Sequence, residues 1–247
     1  MTTAVDSQRD LIEATGRFAV YSLLANGVAF PTVGRLELIA SRLLPAVSML
    51  DLPDVLRTAA QAVTESATTD LDTARDDHMS LFPPIASQDA PGYETGYRGE
   101  GIFQQSALMA DIGGFYRAHG LRAGGSERER LDHITVELEF MAVLARKEAV
   151  AIEAGKYQQA SICRDTAALF LQDHLGCWAP AFGRRAAAVT SSPWFRSLGD
   201  LMALWVEHDM SAFGVEPAEV VEGPLPQEPP DDGACGPCPV GPGAVEQ

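Results

Sequence analysis

Asp132 and His133 stand side by side in the run E-R-L-D-H-I-T-V-E, with Glu137 four residues after the histidine. A carboxylate beside an imidazole can orient a general base, pair with a cationic group or begin a metal site. On a helix, His133 and Glu137 would share a face. A helical two-metal centre asks for Glu-x-x-His, and none of the five histidines has a glutamate three residues before it. His-Glu-x-x-His is absent as well. The ordinary reading of the spacing is that Asp132 caps a helix and His133 makes a surface pair.

Cys235-Gly-Pro-Cys238 has the spelling of a thiol–disulfide active site. That chemistry needs a helix N-terminus to lower the thiol pKa. Here the motif sits in a Gly/Pro-rich stretch nine residues from the end, with no βαβ pattern around it. No metal site is assigned; Cys235 and Cys238 are weak candidates for a metal or cluster contact, and only if a partner completes it. Cys163 and Cys177 fall on apolar helical faces and are expected in the core. Gly155-Lys156 lacks the upstream glycine and following Ser/Thr of a P-loop. Gly99-Glu100-Gly101 follows no strand, and no serine or cysteine sits in a nucleophile elbow. No catalytic residue is assigned.

Tyr93 and Tyr97 occupy a glycine-broken stretch, Y-E-T-G-Y, where packing alone does not require aromatics. Such rings can line a groove for an apolar peptide while their hydroxyls meet its backbone. Phe103 follows shortly after. The stretch from Leu81 to Gly101 also holds Phe82, Pro83-Pro84 and Pro91-Gly92. Irregular segments of this length in a compact domain are often functional.

Helices must position these residues, because strand-length alternation is scarce. Helical periodicity predicts segments near 7–26, 33–50, 54–66, 101–119, 127–154, 157–175 and 194–213. Thr32 or one of its neighbours starts the second, and Pro53-Asp54 opens the third. Gly120 and Gly155 sit where helices end on glycine. Ser126, with Glu129 three residues on, has the capping-box pattern. In the fifth of these helices Leu131, Ile134, Leu138, Met141 and Ala145 form an apolar stripe, which Val136, Phe140, Val143 and Val150 widen. Arg146, Lys147 and Glu148 mark its wet side.

The chain carries 18 Lys+Arg against 34 Asp+Glu, a net charge of −16. That balance argues against nucleic-acid binding, which relies on clustered basic residues. No apolar run is long enough for a membrane span. The N-terminal M-T-T-A-V-D-S-Q-R-D has no basic-then-apolar signal pattern. Four cysteines are too few for a disulfide framework, so a cytoplasmic, reducing setting is expected. Eight of the 16 prolines lie from Pro217 onward, and no Lys or Arg follows Arg196 while ten acids do. Composition therefore predicts an all-α domain over 1–214 and a disordered acidic tail over 215–247.

Several segments in order resemble the TorD/DmsD/NarJ-like chaperones. They are R-F-A-V-Y-S-L-L-A-N (17–26) with Phe30-Pro31, Y-E-T-G-Y (93–97), M-A-D-I-G-G-F-Y-R-A-H-G-L (109–121), E-R-L-D-H-I-T-V-E-L-E-F-M-A-V-L (129–144), F-L-Q-D-H-L-G-C-W-A-P-A-F (170–182) and S-P-W-F-R-S-L-G (192–199). The resemblance implies a single all-helical bundle that is not an enzyme and holds no cofactor of its own. It implies a monomeric or dimeric cytoplasmic protein that binds the apo catalytic subunit of a molybdoenzyme of the dimethyl sulfoxide reductase superfamily. The partner's twin-arginine leader would be bound while the molybdenum cofactor is inserted, delaying export. The body looks closest to chaperones of the group handling selenate, chlorate, dimethyl sulfide or ethylbenzene. Asp132 and His133 take the family's Asp-His position, and Tyr93, Tyr97, Phe103 and Glu137 complete the expected peptide site. A basic-then-apolar leader suits carboxylates beside an apolar groove. The competing class is a helical metal-dependent hydrolase.

Overall fold

The computed structural model describes residues 4–83, 89–98, 101–122 and 129–221. Ser126, the Gly99-Glu100 pair, Cys235 and Cys238, and the expected tail beyond residue 221 lie outside them. The described residues form α1 (Ala4–Val28), α2 (Val33–Ser48), α3 (Asp54–Ser66), α4 (Leu71–Leu81), α5 (Ile102–Ala118), α6 (Ile134–Glu153), α7 (Tyr157–Phe170), α8 (Gly176–Val189) and α9 (Pro193–Phe213). They include no strand, as the sequence predicts. None of their helices is long and apolar enough to cross a membrane.

Two helix pairs make the frame. α1 lies along α6, and α8 lies along α9, with α2 and α3 bridging from α1 to α9. α8 and α9 approach closely because Gly183 and Gly199 face each other. A methyl on Gly183 would fall 2.5 Å from the Gly199 carbonyl oxygen, and one on Gly199 would fall 2.4 Å from that of Gly183. The core is aromatic: Trp178, Trp194, Trp205, Tyr21, Phe170, Phe182 and Phe195 are all fully buried. Each such ring contributes on the order of 1.5–3 kcal/mol through burial.

Capping follows the sequence at several ends. The Thr32 hydroxyl accepts from the Arg35 N–H at 3.2 Å. Gly120 and Gly155 close α5 and α6 with φ of 73° and 67°, the left-handed region that favours glycine. α4 and α8 have no counterpart among the predicted segments. α4 buries only Ala74 and Leu81, so its apolar period is faint; its start is fixed by Asp70, which accepts from the Asp72 and Thr73 N–H groups. α8 contains Gly176 and Pro180, two residues that normally stop a helix. The chain reaches it through one π-helical turn, Leu171–Leu175, that continues α7 without a break.

α6 begins at Ile134, seven residues later than the periodicity suggests. Ile134, Leu138, Met141 and Ala145 are buried as expected, whereas Val150 is 52% exposed. Glu148 belongs to the buried side, facing α1 and α7, with Arg164 Nη1 3.6 Å from its carboxylate. After Gly214, residues Val215 and Val221 pack against the body.

Candidate functional site

The start of α6 is stitched to the aromatic loop. Tyr93 and His133 meet in an isolated antiparallel bridge. Glu94 donates its N–H to the Asp132 carbonyl and Ile134 donates to the Gly92 carbonyl, both at 2.9 Å. Glycine is needed at 92: a Cβ there would sit 2.9 Å from Phe82 Cε1 and 3.2 Å from His133 Nε2. His133, not Asp132, is the N-cap, and its Nδ1 accepts from the Thr135 N–H at 3.3 Å.

Asp132 is fully buried and its carboxylate is engaged from within the chain. Oδ2 accepts from the Thr95 hydroxyl at 2.7 Å and the Thr95 N–H at 3.2 Å. Arg130 forks onto both oxygens, Nε to Oδ1 at 3.0 Å and Nη2 to Oδ2 at 2.9 Å. The same guanidinium lies 4.7 Å from the centre of the Tyr93 ring. A carboxylate held this way fixes the loop to the helix start. It already has an arginine partner within the chain, where the resemblance implied one from a ligand.

His133 faces the other way. It borders a groove of about 430 Å³ lined also by Phe30, His78, Phe82 and Tyr93, with Glu129 and Glu139 among its polar residues. The Tyr93 and Phe82 rings stand 5.0 and 5.8 Å from the imidazole, and His78 stacks 4.8 Å from Phe82. Burial pushes His133 down to about 4, overriding the Asp132 charge; His78 and Arg130 push the same way. The groove is thus walled by rings and a neutral imidazole, with carboxylates beside it. Arg35, also in the lining, donates to the Phe30 carbonyl at 2.7 Å.

The remaining predicted residues lie elsewhere. Glu137 points into the core, where Trp178 Nε1 donates to it at 3.0 Å. Burial, and then the Glu94 charge, hold its carboxyl well above the usual carboxylate range. Glu94, also fully buried, pairs with Arg98 Nη1 and lies 3.1 Å from His174 Nδ1. Tyr97 is 3% exposed and packs 5.3 Å from Trp178. Phe103 stands at the start of α5, 91% exposed. The groove therefore unites Tyr93 and His133, with Asp132 behind them, and not Tyr97, Phe103 or Glu137.

Sequence reasoning did not assign Phe30, His78, Phe82, Glu129 or Glu139 to the site. Phe30-Pro31 and Phe82 were visible as aromatics beside prolines. His78 lies on α4, whose faint periodicity hid it. Among the described residues, no three His, Cys, Asp or Glu side chains are placed to hold a metal ion.

A model of the nitrate reductase delta subunit family matches residues 50–184, more than half the chain and most of the groove wall. The perchlorate reductase assembly chaperone protein of Dechloromonas aromatica (strain RCB) is 28% identical over 216 residues, covering 79% of this chain and 88% of that one. The selenate reductase assembly chaperone protein of Thauera selenatis is 30% identical over 118 residues, 48% of this chain and 59% of that one. The chlorate reductase assembly chaperone protein of Ideonella dechloratans is 29% identical over 113 residues, 46% and 56% respectively. This chain belongs to the nitrate reductase delta subunit family, and with it to the TorD/DmsD/NarJ-like chaperones, which assemble other enzymes rather than act as enzymes themselves.

Proposed function

We propose that this chaperone holds the apo catalytic subunit of a molybdenum reductase by its N-terminal leader, with the leader in the groove between Phe30, Phe82, Tyr93 and His133. The observation that carries the reading is the lining itself: aromatic walls with Glu129 and Glu139 beside them. A twin-arginine leader is basic and then apolar. Its apolar part would cover the rings, and its arginines would pair with the carboxylates. The relatives named for perchlorate, selenate and chlorate reductases support a client of that oxidoanion-reductase kind.

Holding the leader would keep the subunit in the cytoplasm while its molybdenum cofactor is inserted. Asp132 supports the site from behind by fixing the loop, rather than by touching the leader. The test is co-expression with the reductase catalytic subunit, with and without its leader. Capture of the apo-subunit that depends on the leader supports the reading. Equal capture of the leaderless subunit overturns it.

A further inference from the structure

The loop that carries Tyr93 is also gripped from its far end. α9 stops at Gly214, whose φ of 69° turns the chain back. Val215 bonds to the Met210 carbonyl at 3.1 Å, and Ala218 donates its N–H to the Gln172 carbonyl at 2.8 Å. The Cys177 thiol donates to that same Gln172 oxygen at 3.1 Å and is 4% exposed. The Ala218 and Glu219 amides face its sulfur. Ala218 and Glu219 therefore lie over Cys177.

Glu219 reaches further, with Oε2 3.0 Å from Arg98 Nε. The Nη1 of Arg98 serves two other acceptors, the buried Glu94 carboxylate and the Asp173 carbonyl at 2.5 Å. One guanidinium thus joins the outgoing chain, the π turn and the loop. Glu94 is the residue after Tyr93, and its fully buried carboxylate has that guanidinium as its ion-pair partner.

We propose that Val215–Val221 is a strap, and that Arg98 is a positioning residue that transmits its seating to the Tyr93 loop. With the strap seated, Arg98 is kept largely from water and holds Glu94 firmly. With the strap lifted, Arg98 hydrates, its grip on Glu94 weakens and the groove wall loosens. The strap is suited to opening because Glu216, Ala218, Glu219 and Val220 are exposed and its polar bonds are few.

The strap–loop coupling stands independently of what the groove binds. Only its effect on leader affinity rests on the function proposed above. The test uses full-length Glu219→Gln, Ala218→Pro and the double variant. Ala218→Pro removes the N–H that bonds to Gln172. Two readouts are taken without any peptide: alkylation of Cys177, mapped by mass spectrometry, and hydrogen exchange over residues 92–98. Each single change should speed both by about two- to fivefold, and the double by roughly tenfold. Exchange within α9 over 201–206 should stay unchanged.

Faster Cys177 alkylation with unchanged exchange over 92–98 would make the segment a passive cover and overturn the coupling. An unchanged Cys177 in the double variant would overturn the strap itself. If Ala218→Pro also accelerates the α9 peptide, it has disturbed the fold, and Glu219→Gln alone decides. Leader titration into the same variants should show weaker binding in step with the loop exchange. A wild-type chain that binds no leader would sink the proposed function and leave the exchange result to judge the strap.

Discussion

The groove and the acid network behind it lie on opposite sides of the same few residues, and they behave in opposite ways. His133 opens on the groove; Glu137, one turn later, is sealed in the core against Trp178. Burial makes both neutral, but with opposite consequences for pH. The imidazole loses its proton on folding, and the carboxyl keeps one it would otherwise release. Asp132, the neighbour of His133 in the chain, stays paired with Arg130 and Thr95. The comparison teaches that the Asp-His-x-x-x-Glu spacing is not one site. It sends one residue to the groove, one to the loop and one to the core.

The sharpest way to break this division is Glu94→Ala. Glu94 is fully buried and is the acceptor for Arg98 and His174. Its loss takes the buried carboxylate from a mostly covered guanidinium and leaves it only the exposed Glu219, which should cost about 3–5 kcal/mol in urea unfolding. Glu137→Gln, by contrast, replaces a carboxyl already held neutral and should cost under ~1 kcal/mol. A large loss from Glu137→Gln would mean that Glu137 is needed as a charge.

Next in size is the pH dependence. His133 has a folded value of about 4 against an ordinary 6.5. Its lowered value contributes stability that is fully present above pH 6.5 and is lost as pH falls from about 6.5 to about 4. The difference of about 2.5 units sets an upper bound of about 3 kcal/mol. Glu137 acts in the other direction: its raised value contributes stability present below the ordinary carboxylate range and lost as pH rises through its folded value. Unfolding measured across pH should therefore fall off on both sides. His133→Gln should flatten the acid limb only, and Glu137→Gln the alkaline limb only.

The smallest effects belong at the groove's polar edge. Glu129→Gln and Glu139→Gln should each weaken leader binding by about 0.2–1 kcal/mol, with the loss shrinking as salt is added. Phe103→Ser, out on α5, should leave both stability and leader affinity within about 0.5 kcal/mol. A marked loss of affinity from Phe103→Ser would enlarge the site beyond the groove.

Much of this was legible in the sequence, for reasons that differ by residue. The all-helical fold followed from apolar spacing, and the ends at Gly120 and Gly155 from the left-handed backbone they adopt. The aromatic loop's approach to Asp132-His133 followed from the resemblance. The direction of each side chain did not. The shift of the α6 start to Ile134 turned His133 into the cap, and nothing in the periodicity marks that shift. Glu137 is expected in the peptide site; only Trp178 on α8 shows why it can be buried instead. Glu148 was read outward with Arg146 and Lys147, although Arg164 lies across from it. α8 was hidden by Gly176 and Pro180, which the continuous π turn and close packing accommodate.

In the proposed function the leader binds at Tyr93 and His133, with Asp132 serving the loop behind them. Titration calorimetry with the client's leader peptide tests it most directly, comparing wild type with Tyr93→Ala/His133→Ala and checking by thermal melting that the variant remains folded. The account predicts a loss of affinity of about tenfold or more in the folded double variant. Undiminished affinity in that variant would contradict it.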